Sequence, residues 1–408
     1  MDFKTYTLEN GLEVVAECNG QAYSMGMGFF VNAGSCDETA KNSGVSHFLE
    51  HMVFKGTPKR SAADVNRELD EIGSHSNAYT SEEHTVFYAA ALPEYQSQAV
   101  DLLSDIMRPS LRESDFDTEK KVIIEEICKY DDQPPFGAHE KCMAAFFGQH
   151  PLGRSVLGTT ESVSALSPEA MREYFQRRYS PGNIKLVAAG CLDFEKLVAD
   201  VEACCGDWEP FETKRTTQPP QGEAGFDLIE RPSAAQQYIV QISGGPSAQE
   251  PERYAHRLLA TIFGDEGGSR LFWALVDTGL VEYAASGTYE FQDTGITMTV
   301  MSCHPDSAKD SLERLRQLQT VVQTEPITEN ELELAKSKIC SHIVRRSERP
   351  ANRLFAVGSG WLQRLQYQTV KESVEAYQRV TVEDVNDIVA KYPLDQTATV
   401  VAGPRADW

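Results

Sequence analysis

Two histidines four residues apart with a glutamate between them, in the run His47-Phe48-Leu49-Glu50-His51, constrain this chain more than any other feature. Side chains at i and i+4 share a face only when the segment is helical, and both imidazoles then reach one cation. Glu50, three residues after His47, lies on the same face and can hold a water without being a ligand itself. Two ligands do not complete a site, because a catalytic zinc centre takes three protein donors and leaves one position open. The fold must therefore bring a third donor back to this helix from elsewhere in the chain.

The order H-x-x-E-H reverses the commoner H-E-x-x-H arrangement and is the inverzincin signature. Downstream, residues 113–127 read as a helix with acids at its start. Ser114 is placed to cap it, and Asp115 and Asp117 complement the positive end of the helix dipole. Phe116, Ile123 and Ile127 mark its buried face. Glu119 and Glu126 are seven residues, two turns, apart and lie nearly above one another, whereas Glu125 reads as a solvated charge.

The run Gly44-Val45-Ser46-His47-Phe48-Leu49-Glu50-His51-Met52-Val53-Phe54-Lys55-Gly56-Thr57 resembles the active-site helix of the pitrilysin family. Within that family it is most similar to the branch of mitochondrial processing peptidase and its bacterial relatives. Residues 77–85 resemble the branch's substrate-binding edge strand and the turn after it, and residues 119–127 resemble the helix that provides its third ligand. Further matches are Leu157-Gly158-Thr159, Tyr179-Ser180-Pro181-Gly182-Asn183 and Gly267-Gly268-Ser269-Arg270-Leu271-Phe272, in the family's order over nearly the whole chain.

The resemblance implies an α+β protein of two homologous lobes, each a mainly antiparallel sheet covered by helices, together half of a clamshell peptidase. It implies one zinc per chain on His47, His51 and Glu126, with Glu50 as general base and Glu119 orienting a ligand. Asn77, Ala78 and Tyr79 would offer an edge strand to an extended peptide. Related second lobes carry an Arg seven residues before a substrate-contacting Tyr. Here Tyr283 is the candidate, but position 276 is Val, and Arg270 is the residue that could compensate. The implied activity is a zinc metalloendopeptidase acting on unfolded peptides or presequence-like segments. The alternative is a noncatalytic peptide-binding or assembly subunit of the same family. Either reading implies a dimer, of identical chains or with an inactive paralogue.

The sequence repeats itself. The stretch 211–225 is polar, proline-bearing and aperiodic, and reads as a linker between a catalytic lobe, 1–210, and a companion lobe, 226–408. In the second copy, residues 297–301 answer 85–89 and residues 328–336 answer 112–120. Gln237-Tyr238-Ile239-Val240-Gln241-Ile242-Ser243 alternates like a half-buried strand, so helices are expected over one face of each sheet. On this alignment His47 corresponds to His256, Glu50 to Leu259, His51 to Ala260 and Glu126 to His342. Two isolated histidines without the base or second ligand read as surface or capping residues.

Composition sets the remaining bounds. Apolar residues at 41% and charged residues at 24% suit a soluble globular protein, and no apolar stretch is long enough to span a membrane. A net charge of −23 argues against nucleic acid and would attract cationic peptides. Nine cysteines, an odd number without a C-x-x-C pair, suggest free thiols in a reducing compartment. Residues 1–17 lack a basic start and apolar block, so the expected location is cytoplasmic, or organellar if a presequence has been removed.

Overall fold

A computed structural model of the 408-residue chain describes residues 1–215 and 219–408. The expected linker 211–225 falls partly on residues 216–218, which lie outside the described residues. The structure is α+β with two sheets. The first has six strands: β1 (Asp2–Thr7), β2 (Glu13–Cys18), β3 (Met25–Val31), β4 (His75–Thr80), β5 (Thr85–Ala91) and β6 (Ile184–Gly190), ordered β1-β2-β6-β3-β5-β4. The second has five: β7 (Gly225–Glu230), β8 (Gln237–Gly245), β9 (Tyr283–Glu290), β10 (Gly295–Cys303) and β11 (Ala398–Gly403), ordered β7-β11-β8-β10-β9.

The duplication is visible strand for strand. In the first sheet β2 runs parallel to β6, and the pairs β6–β3, β3–β5 and β5–β4 are antiparallel. In the second, β7 runs parallel to β11, and β11–β8, β8–β10 and β10–β9 are antiparallel. β1, antiparallel to β2, is an addition to the first copy. β4 and β9 occupy corresponding edges.

The chain forms two compact units, and each takes a segment from the other half of the sequence. The first unit consists of 1–128, 155–216 and 345–368; the second consists of 129–154, 217–344 and 369–408. Helix Pro350–Arg364 accordingly packs on β3 and β6 of the first sheet. It buries Leu354 and Val357 against Val15, Phe30, Val86, Val187 and Ala189. Gly358 permits this approach, since a Cβ there would lie 2.4 Å from the Phe30 ring. Arg353, also buried, donates through Nε to Glu17 Oε1 at 2.8 Å, and the Tyr367 hydroxyl donates to Glu17 Oε2 at 2.7 Å. Helix Ala138–Phe147 packs on β8 and β11 of the second sheet in the same manner, its Cys142 thiol facing the Val240 and Ala398 carbonyls.

Each sheet is thus covered on both faces, not on one as its alternation suggested. β8 is buried almost throughout for that reason. The opposite face of the first sheet carries that unit's main core, which includes Phe48 and Leu49 of the motif helix and Phe116, Ile123 and Ile127 of the long acidic helix. None of the nine cysteines forms a disulfide. No helix among the described residues is long and apolar enough to cross a membrane.

Candidate metal centre

The motif helix spans Val45–Val53, and its apolar positions Val45, Phe48, Leu49 and Met52 anchor it to the sheet. It starts at Gly44, which has φ 89° and would bring a Cβ within 2.6 Å of the Leu157 carbonyl oxygen. Gly44 has no side chain to cap the helix, and Glu38 takes that part. Its Oε2 accepts from the Gly44 N–H and its Oε1 from the Ser46 N–H, both at 2.7 Å, in a buried position. A carboxylate at this end also complements the helix dipole.

His47 and His51 emerge on one face of this helix, with ring centroids 4.7 Å apart. The third group comes from the helix Glu113–Asp132, which packs through Phe116 onto Phe48 with ring centroids 4.5 Å apart. That helix begins at Glu113, so Ser114 lies inside its first turn and is not its cap. Glu126 Oε2 stands 3.9 Å from His47 Nε2 and 3.6 Å from His51 Nε2. The three ligand atoms lie within 4.8 Å of one another, the one such convergence of metal-binding side chains found among the described residues. Donors about 2.0–2.2 Å from a tetrahedral ion lie roughly 3.3–3.6 Å apart, so this set fits zinc after a small contraction.

The surroundings suit ligation. Glu119, 5% exposed, places Oε1 at 2.9 Å from His51 Nδ1, an arrangement that orients the ring and turns Nε2 towards Glu126. Burial, and secondarily the neighbouring His51, push the His47 pKa down to about 4, so this ring is neutral at ordinary pH. Its Nδ1 has no hydrogen-bond partner among the described residues.

Glu50 stands beside the three donors but outside their set. Its pKa is raised, chiefly by burial, against the opposing pull of Thr80 and His51. The Thr80 hydroxyl donates to Glu50 Oε2 at 2.6 Å. Thr80 ends β4, the strand of Asn77, Ala78 and Tyr79, which pairs with β5 and is the sheet's edge. Asn77 is exposed, Ala78 packs on the main core, and Tyr79 turns to the other face, its hydroxyl 3.3 Å from His84 Nε2.

Tyr283 and Arg270 lie in the second unit. Tyr283 opens β9 and is 42% exposed. Arg270 makes a two-pronged pair with Glu331, at 2.7 and 3.1 Å, and Glu331 also accepts from the Thr328 N–H and hydroxyl at the start of helix Glu329–Ser347. His342 is exposed, as expected of a surface residue, but His256 is not on the surface. It is 1% exposed, with Nε2 2.6 Å from the Thr297 hydroxyl, and burial lowers its pKa to about 3. Sequence reasoning did not find the parts played by Glu38 and Thr80. Thr80 alone had a local signal, as the next residue of the expected edge strand.

Comparison with known proteins agrees with this geometry. Residues 13–160 match the family described as "Insulinase (Peptidase family M16)", and residues 165–339 match "Peptidase M16 inactive domain". The chain belongs to peptidase family M16. It is 31% identical to a Mycobacterium tuberculosis protein named an uncharacterized zinc protease, over 98% of this chain and 92% of that relative. A Bacillus subtilis protein of similar name is 28% identical over 99% of both chains. Among solved structures, a protease from Helicobacter pylori superposes with TM-score 0.92 at 20% identity, covering 99% of both chains. A chain of complex III2 from Candida albicans superposes with TM-score 0.86 at 20% identity, covering 98% of this chain and 96% of that one. M16 membership and relatives named zinc proteases make this chain a zinc-protease homologue, with peptidase activity and zinc supported at that level.

Proposed function

We propose that the chain is a zinc metalloendopeptidase that cleaves extended, unfolded peptides, with one catalytic zinc per chain. The observation that carries this reading is the convergence of His47, His51 and Glu126, with Glu50 alongside and held separately by Thr80. A noncatalytic subunit has no physical need for all four groups. His47 and His51 would hold zinc through Nε2 and Glu126 through Oε2, with Glu119 orienting His51. When bound, the ion supplies a Lewis acid that acidifies water and polarises a peptide carbonyl. Glu50 takes the proton of the attacking water on its carboxylate and returns it to the leaving nitrogen, and its burial favours the protonated state it must pass through.

β4 offers its free edge to substrate, so Asn77, Ala78 and Tyr79 would bind an extended backbone by strand addition. That mode selects unfolded chain, and the net charge of −23 favours cationic, presequence-like segments. Tyr283 and Arg270 are proposed as second-unit substrate contacts. For Arg270 this requires that Glu331 share or release its guanidinium. The free cysteines support a reducing, cytoplasmic-type compartment. We read the working enzyme as a dimer, with a homodimer favoured, because two-fold closure completes it from one gene product. Light scattering on active protein tests that directly.

A second reading, a noncatalytic peptide-binding or assembly subunit, draws on the fold likeness to a complex III2 chain. Metal analysis with hydrolysis of a quenched fluorescent peptide separates the two. The peptidase reading expects one zinc per chain and turnover that a chelator removes and zinc restores. Absence of both zinc and turnover would favour the noncatalytic reading.

A further inference from the structure

Lys55 has no part in the roles given above, yet it contacts the group that orients a ligand. Its Nζ lies 2.6 Å from Glu119 Oε2, while Glu119 Oε1 lies 2.9 Å from His51 Nδ1. The carboxylate is therefore divided between one cationic donor and one imidazole. At 5% exposure, Glu119 has little water available to replace either partner. The rotation of the carboxylate, and with it the direction of Oε1, depends on both contacts being made.

The backbone of Lys55 is held as firmly as its side chain. It follows the motif helix, four residues after His51, and its N–H donates to the Met52 carbonyl. Its own carbonyl accepts from Arg112 Nη2 at 2.5 Å, and the Gly56 carbonyl accepts from the Ser110 N–H at 3.0 Å. Arg112 and Ser110 immediately precede the helix that carries Glu119 and Glu126. The Lys55-Gly56 segment thus ties the element bearing two ligands to the element bearing the third, and the lysine side chain adds a tie at Glu119, the group in contact with His51.

We propose that Lys55 is a positioning residue for the metal centre, acting through Glu119 to set the orientation of His51. This rests on the reading of His47, His51 and Glu126 as zinc ligands. It makes a prediction of opposite sign to the simplest electrostatic one. Removing a positive charge from the neighbourhood of a cation site should by itself tighten cation binding. Removing a positioning group should weaken it, because Glu119 Oε2 loses its donor and the carboxylate turns away from Nδ1.

The test measures zinc dissociation constants of the full chain by competition with a fluorescent chelator, which reads the site without turnover. Lys55→Met, which keeps the unbranched stem of a side chain already 36% exposed, should weaken zinc binding about tenfold. Lys55→Arg, which keeps a cationic donor, should recover most of that loss. In a Glu119→Gln background, Lys55→Met should add little, because the path through Glu119 is already cut. Unchanged or tighter binding in Lys55→Met, with a wild-type chain that binds zinc, overturns this inference alone. Full additivity of the two substitutions overturns it as well. A wild-type chain that takes up no zinc overturns the ligand reading beneath it.

Discussion

Replacing Glu38 by Gln should destabilise the first unit by about 3 kcal/mol, through the start of the motif helix. Glu38 is 4% exposed and accepts two short hydrogen bonds, both 2.7 Å, from the N–H groups of Gly44 and Ser46. Hydrogen bonds to a charged acceptor contribute about 1.5–3 kcal/mol each, and a carboxylate at a helix N-terminus adds up to about 2 kcal/mol when partly buried. Glutamine keeps one neutral acceptor and turns an amide NH2 towards the other N–H, so one bond is weakened and the other becomes a donor facing a donor. Losing one charged bond and part of the second gives a range of about 2–5 kcal/mol. With a urea m-value of about 2–3 kcal/mol/M, the midpoint of the metal-free protein should fall by roughly 1 M. His47 sits three residues beyond Gly44, so chelator competition should show weaker zinc binding in the same variant. A midpoint shift below about 0.3 M, with m unchanged, would refute the capping argument.

Glu50→Gln should keep zinc and lose about 10²- to 10⁴-fold in peptide turnover, and undiminished turnover would sink the assignment of the base. Glu126→Gln should lower both zinc retention and turnover, which metal analysis of the same preparation reads. Arg353→Met should cost about 3–5 kcal/mol in urea unfolding, because Glu17, 2% exposed, would be left with the Tyr367 hydroxyl and no cation. Adding Glu17→Leu should restore most of that loss, and failure to do so would show that the pair does more than offset its own burial. Burial raises the pKa of Glu331, but the hydrogen bonds from Arg270 and Thr328 override it and bring it from 4.5 down to about 2. Because the folded value lies below the unfolded one, this stabilisation is complete above about pH 4.5 and is lost as pH falls towards 2. Arg270→Gln should flatten that part of the acid-unfolding profile, and an unchanged profile would dismiss the pair as its source.

What was legible in the sequence was whatever a local period encodes. The i, i+4 spacing of His47 and His51 placed both rings on one helix face without knowledge of the fold. The strand alternation and the repeat of residues 85–89 at 297–301 announced two related sheets. Glu126 is brought to the motif by tertiary closure over seventy-five residues, which periodicity cannot express, so only the family resemblance pointed to it. Glu38 was missed because it caps the helix from six positions before Gly44, outside the usual spacing of a helix cap. Ser114 failed as a cap because the helix starts one residue before it. The exchange of the helices Ala138–Phe147 and Pro350–Arg364 left no local sign either, since amphipathic helices look the same whichever sheet they cover.

The second copy shows why a retained histidine need not mean a retained site. His47 and His256 stand on corresponding helices, Val45–Val53 and Arg253–Gly264, and both are buried and held neutral by that burial. Their ring environments differ. Near the first ring are His51 and Glu126, and the hydroxyl of Thr85, the residue that corresponds to Thr297, is engaged with the Ala33 carbonyl at 2.9 Å. At the second, the corresponding Thr297 hydroxyl takes His256 Nε2 directly at 2.6 Å, and the ring packs so closely on Gly245 that a Cβ there would lie 2.4 Å away. Leu259 and Ala260 stand at the positions that Glu50 and His51 hold in the first copy, and both are buried, Leu259 within the core. An imidazole in an apolar interior needs a partner for its polar atoms. A threonine across the sheet can meet part of that need, where a metal ion would require two further donors. With Ala260 at the i+4 position, the hydrogen bond to Thr297 makes a lone buried His256 compatible with a packed core, so the second sheet keeps the topology of the first without its cluster of metal-binding side chains.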